Sequence, residues 1–158
     1  VTRALGWSGY RKGDRPALFV VPETTVRKLA AEVAQKLDSP VVRVVGDPEM
    51  KASKVGLSLG AAGSAREIGA LERDDVEVLL VGETREWETV AYAADAATLR
   101  KRKALVVIGH IPSEQAGMDE CARWLRGFVK GVPVELVPAE QPFWTVEMSA
   151  AATKRLAR

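Results

Sequence analysis

The stretch Lys103-Ala-Leu-Val-Val-Ile-Gly-His110-Ile-Pro-Ser-Glu114 decides how this chain is read. Ala104 to Ile108 form an unbroken apolar run, the pattern of a strand buried on both faces. The run stops at Gly109-His110, and Ile111-Pro112-Ser113-Glu114 then opens a helix, expected from Ser113 to about Lys130. His110 is the only histidine in the sequence. This order places an imidazole and a carboxylate at the carboxyl end of one strand, the usual position of sites in open α/β sheets.

Outward from that stretch, apolar runs alternate with amphipathic segments. Upstream lie a strand at Val76–Val81 and a long helix from about Thr84 to Arg100. Before them come Val55-Gly-Leu-Ser-Leu59, the turn Gly60-Ala-Ala-Gly63 and a short helix at Ser64–Leu71. Downstream, a last strand is expected at Val132–Val137. The order β-α-β-α-β-α-β implies right-handed crossovers and an α/β fold with a mostly parallel sheet and helices on both faces. Earlier still, Ala17–Val21 and Val41–Val45 read as strands around a helix. That helix carries Val26, Leu29, Ala30, Val33 and Leu37 on one face, with Thr24 or Thr25 as its start signal. The core is expected to contain Val26, Leu29 and Val33 on one side, and Met118, Leu125 and Phe128 on another, with Cys121 on the second stripe. Residues 1–142 read as one domain and 143–158 as a tail with a terminal helix.

Composition excludes several classes. The 158 residues, 47% hydrophobic, suffice for the core of one domain. A net charge of +2 does not argue for a nucleic-acid or membrane partner. No apolar run approaches the roughly 18 residues that span a bilayer, and no secretory pattern opens the chain. One cysteine excludes an internal disulfide and fits a reducing compartment, so a cytoplasmic location is expected. The sequence opens in mid-pattern at Val1, which suggests that residues upstream have been removed.

The chemical candidates each carry a plainer reading. His110 and Glu114 suit a divalent ion such as iron, manganese, zinc or nickel, which would need further protein ligands. They are also explained by a polar sheet edge and a first-turn carboxylate stabilised by the helix dipole. Glu83, after the neighbouring strand, could orient the histidine or a metal-bound water, or could cap the following helix. Gly60 and Gly63 could admit an anion at a helix start, but turn geometry alone explains them. Arg100-Lys101-Arg102-Lys103 reads as a solvated helix end. Ser113 is accounted for by backbone capping.

Taken together, Leu59-Gly-Ala-Ala-Gly63, Val81-Gly-Glu83-Thr-Arg-Glu and Gly109-His-Ile-Pro-Ser-Glu114-Gln-Ala-Gly-Met resemble the GTP cyclohydrolase 1 type 2-like family, the Nif-three-like dinuclear metal centre hexameric proteins. The resemblance runs from about Leu5 to about Pro142. It implies His110 and Glu114 as metal ligands, Glu83 as the acidic group near them, and up to two divalent ions per complete site. The family's adjacent histidine pair and aspartate, which lie in its N-terminal domain, have no counterpart here, which implies either the C-terminal part of a longer protein or a truncated member with a dismantled centre.

Two functions follow as expectations. One is a metal-dependent hydrolase in which activated water attacks a nucleotide-like or cyclic amide substrate, with Glu83 orienting or deprotonating that water. The other is a non-catalytic oligomerisation or interaction domain with an incomplete metal site. Either implies a homo-oligomer, a hexamer or its dimer or trimer subassembly. Some of Trp7, Trp87, Trp124 and Trp144 are expected at contacts.

Overall fold

The computed structural model describes residues 1–14 and 17–144, and the expected terminal helix from Thr145 lies outside them. Its frame is a six-stranded sheet with β1 (Arg11–Asp14), β2 (Ala17–Thr25), β3 (Arg43–Val45), β4 (Lys51–Ser58), β5 (Val78–Val81) and β6 (Ala104–Val107) in the spatial order β1-β2-β4-β5-β6-β3. The central strands β4, β5 and β6 run parallel, with Val55, Val78 and Ala104 in register. The flanking pairs β1–β2, β2–β4 and β3–β6 are antiparallel. The expected α/β sheet therefore has a parallel core with antiparallel edges.

Period-two alternation sorts the central strands between two apolar layers. Val78, Leu80, Ala104, Val106 and Ile108 pack with Phe19, Val55 and the stripe Val26, Leu29, Ala30 and Val33 of α1 (Val26–Lys36). Thr25 caps α1, its side chain accepting from the Lys28 amide. Leu79, Val81, Leu105 and Val107 face the other way, against Ala70 and Leu71 of α2 (Ser64–Glu72) and Ala93 of α3 (Ala91–Thr98). Covering both faces is what permits runs as apolar as Val78–Val81 and Ala104–Val107. Trp7 joins the first layer beside Phe19, with ring centroids 5.9 Å apart.

Four expectations fail in detail. The helix after β5 begins as a π-helix, Glu86–Val90, before α3, so the continuous helix from Thr84 is not formed. The helix after β6, α4 (His110–Arg126), starts three residues before Ser113. Val132–Val137 is not a strand. The edge of β6 that it would have joined is taken by β3, through Arg43–Val107 and Val45–Leu105 pairing, and Pro133 lacks an amide donor. Along its length α4 buries only Pro112, Ser113 and Ala122. Met118, Trp124, Phe128 and Cys121 are therefore exposed and Leu125 is half-buried, against the expected core stripe. Trp124 and Phe128 instead pack edge to face on each other.

The basic cluster is partly structural. Arg102 donates to the Lys51 carbonyl at 2.6 Å, and Lys103 donates to the Val76 carbonyl at 2.6 Å. These bonds tie the amino ends of the central strands together.

Candidate functional site

The parallel strands β4, β5 and β6 end in the polar stretches Leu59-Gly60, Gly82-Glu83 and Gly109-His110, all on one edge. A short ladder of amide bonds carries the register past the strands. Gly82 donates to the Ser58 carbonyl, Glu83 to Gly60, and Gly109 to Gly82 at 3.0 Å. The chain then turns sharply into α4 at Gly109, whose φ of +91° and ψ of 152° fall in a region that essentially only glycine enters. That turn makes His110 the first residue of the helix, with Glu114 one turn later on the same face.

Ser113 holds this corner. Fully buried, its hydroxyl donates to the His110 carbonyl at 2.7 Å and accepts from the Gly60 amide at 2.9 Å. It is not the helix cap expected from the sequence, since Gly109 takes that position without a side-chain bond; it fastens the glycine turn after β4 to the first turn of α4.

The imidazole of His110 stands between two carboxylates. Nδ1 lies 3.1 Å from Glu83 Oε1, and Nε2 lies 2.9 Å from Glu114 Oε2. A ring that donates to both carries two protons. The bond to Glu83 is the largest influence raising His110 above its ordinary value; partial desolvation opposes it, and Glu114 adds to it. All three side chains keep substantial solvent exposure, 40% for His110, so these are screened interactions. The three residues singled out from the sequence are thus brought together.

Their arrangement is that of a ring oriented on one nitrogen and presented on the other. Glu83 approaches Nδ1, as the outer carboxylate does for a metal-bound histidine. Nε2 and Glu114 meet on the opposite side, above Gly60. A Cβ on Gly60 would lie 2.3 Å from Glu114 Oε1 and 3.7 Å from His110 Nε2. The missing side chain leaves room for the Glu114 carboxylate to reach Nε2, so an imidazole nitrogen and a carboxylate, both of ligand type, stand side by side. Among the described residues, no group of three or more His, Cys, Asp or Glu side chains could hold a metal ion. Glu83 does not join the pair, because it lies on the other ring nitrogen.

A cleft of about 740 Å³ opens on the Glu83 side. His110, Glu83, Thr84 and Arg43 line it, and Phe143 and Trp144 stand at it with exposed rings. Arg43 is paired with Glu86 across the cleft.

One residue that bears on the site escapes sequence reasoning. Glu67 of α2 is fully buried, and its Oε2 accepts from Thr84 Oγ1 at 2.6 Å and Thr89 Oγ1 at 2.7 Å. Ser64-Ala-Arg-Glu67 has the spacing of a capping box, which points to an exposed helix start. The structure caps α2 with Gly63 backbone instead, without a side-chain bond, and Glu67 turns inward.

Fold and site together define an α/β protein whose polar centre lies at the carboxyl edge of a parallel strand triplet. Residues 17–142 match the model of the Duf34/NIF3 (NGG1p interacting factor 3) family, and the chain belongs to that family. This bears out the resemblance read from the sequence. No curated protein matches the chain. Among solved structures, it is similar to the protein ybgI, described as of unknown function, with a TM-score of 0.71 and 19% identity over 90% of this chain and 55% of that one. A Bacillus cereus protein related to NIF3 has a TM-score of 0.63 and 22% identity, covering 82% of this chain and 35% of the other. Staphylococcus aureus protein SA1388 has a TM-score of 0.62 and 20% identity, covering 82% and 41%. The chain thus spans between about a third and just over half of these relatives, and the likeness establishes the shared fold. No helix among the described residues is long and apolar enough to cross a membrane.

Proposed function

We propose that His110 and Glu114 supply two ligands of a divalent-metal site in a hydrolase acting on a nucleotide-like or cyclic amide substrate, with Glu83 holding the histidine. The observation that carries this reading is the shared ring: Glu83 on Nδ1, Glu114 beside Nε2, and Gly60 leaving room for the Glu114 carboxylate there. Iron, manganese, zinc and nickel all suit one imidazole and one carboxylate. The remaining ligands would come from outside the described residues. When bound, such an ion supplies a water acidic enough to ionise near neutral pH.

What the chain's own residues do follows from their positions. Glu83 accepts a hydrogen bond from Nδ1–H and fixes the ring plane, which leaves Nε2 to face Glu114. Loss of the Nε2 proton frees that nitrogen as a donor, so cation binding tightens as pH rises through the raised value of His110. The cleft beside Glu83 falls in the size range of small-molecule sites, and its aromatic edge suits a flat substrate.

A non-catalytic oligomerisation or interaction role is the second reading. It is favoured by the closed contact of both ring nitrogens with carboxylates and by the absence of a third convergent ligand among the described residues. Metal analysis of the purified protein, paired with turnover of GTP and cyclic amides, separates the two. Stoichiometric metal and turnover, both lost in His110→Ala, support the hydrolase. Absence of bound metal together with a silent His110→Ala substitution overturns it. A homo-oligomer, hexameric or a dimer or trimer subassembly, is part of the same proposal, and light scattering that returns a monomer contradicts that part.

A further inference from the structure

We propose that Glu67 is a positioning residue for this site: by binding Thr84 and Thr89 it fixes the segment that presents Glu83 to His110. Glu67 lies in α2, on a different element from every residue assigned above. Its Oε2 receives the hydroxyls of Thr84 and Thr89, and its Oε1 is buried without a partner among the described residues. Burying a carboxylate is unfavourable unless its bonds offset the lost hydration. The carboxylate supplies two directed bonds, which fasten one end of the segment beside Glu83 and a second point five residues on, inside the π-helix.

Glu83 itself has little else to hold it. Its side chain is mostly in solvent, and its amide is anchored by the bond to the Gly60 carbonyl at 2.8 Å. Thr84, the next residue, is therefore the second point of restraint. With Gly60 on one side and Glu67 on the other, the backbone at Glu83 is set, and Oε1 stays 3.1 Å from Nδ1. A π-helical turn is an uncommon conformation often found at functional sites, and here Thr89 within it is bonded to the same buried oxygen.

This inference rests on Glu83 being the carboxylate that orients the ring, and the test separates the two. His110 is the only histidine, so its two ring nitrogens give one pair of ¹⁵N signals in the intact protein. At alkaline pH, where the ring is neutral, those signals report which nitrogen carries the proton. Glu83→Gln is expected to move the population toward the Nε2–H form. Glu67→Ala is expected to move it in the same direction by most of that amount, and Thr84→Val by part of it. Glu67→Gln, whose amide oxygen can accept the same hydroxyls, is expected to return it toward wild type. A folded Glu67→Ala protein with the wild-type signals overturns the proposal. If Glu67→Ala does not fold, Thr84→Val decides, and unmoved signals there overturn it equally. Signals that respond to Glu83→Gln but to neither other variant refute the role of Glu67 alone. Signals that ignore Glu83→Gln refute the orienting role of Glu83 and this inference with it.

Discussion

Replacing Gly82 with alanine tests how tightly the corner of the site is built. A Cβ there would sit 2.5 Å from the Gly60 carbonyl oxygen, 2.5 Å from Ser113 Oγ and 2.6 Å from the Gly60 amide nitrogen. Weak carbon–oxygen contacts begin near about 3.3 Å, so the overlaps approach ~0.8 Å. None of these atoms can swing aside. Two are backbone, and the Ser113 hydroxyl is held by bonds of 2.7 and 2.9 Å. Overpacking of this kind costs about 1–3 kcal/mol, and three unyielding neighbours place Gly82→Ala at ~3 kcal/mol. For a domain of this size each kcal/mol moves the melting temperature by roughly 2–4 °C, so a fall of about 6–12 °C is expected. Thermal unfolding followed by circular dichroism measures it directly. The first turn of α4 depends on Ser113, so the His110 ring signals should shift as well. A melting temperature within ~2 °C of wild type would show that the corner is loosely packed and would refute the reasoning.

Other substitutions carry different signs. Gly69→Ala and Gly117→Ala lie in helices with nothing within 4 Å of the new methyl, and each should stabilise by about 0.5–1 kcal/mol in denaturant unfolding. Leu105→Ala empties a fully buried position of the central strand β6 and should destabilise by about 2–5 kcal/mol in the same assay. His110 should titrate above its ordinary value of about 6.5 in an NMR titration, and Glu83→Gln should bring it down. Because the folded value is raised, its contribution to stability is fully present below the ordinary value and is lost as pH rises through the raised one. Solvent exposure of the pair keeps that contribution under ~1 kcal/mol, which melting curves across this range will bound.

The parts of the fold that were legible in the sequence are those fixed by local pattern. The runs at Val78–Val81 and Ala104–Val107 are short, unbroken and apolar, the pattern of strands buried on both faces, and the α1 stripe matches the face that packs. The parts that were not legible depend on what lies next to them. The apolar stripe on α4 has the right spacing for a core, but whether it is buried depends on a neighbouring surface, and α4 buries only Pro112, Ser113 and Ala122. Nothing in the local sequence of Arg43–Val45 announces pairing with β6, since the two are far apart along the chain. The π-helix likewise reflects a tertiary restraint, with Thr89 bonded to Glu67, on a segment whose own pattern is helical.

The site shows the same division. His110, Glu83 and Glu114 were visible because each follows a strand end or a helix start at fixed spacing, and the parallel register then brings them together. Their division of labour was not visible. Which carboxylate takes Nδ1 and which faces Nε2 is set by the turn at Gly109 and by the space at Gly60. Glu67 was hidden because its spacing from Ser64 imitates a surface cap.

The central claim, that His110 and Glu114 are a pair of metal ligands, is tested most directly by titrating the protein with zinc while observing the His110 ring nitrogens. The expected result is a shift of the Nε2 signal, with Nδ1 remaining protonated toward Glu83. The response should weaken as pH falls below the raised value of His110 and should be lost in Glu114→Ala. Zinc that leaves the His110 signals unmoved, or moves them equally in Glu114→Ala, would contradict it.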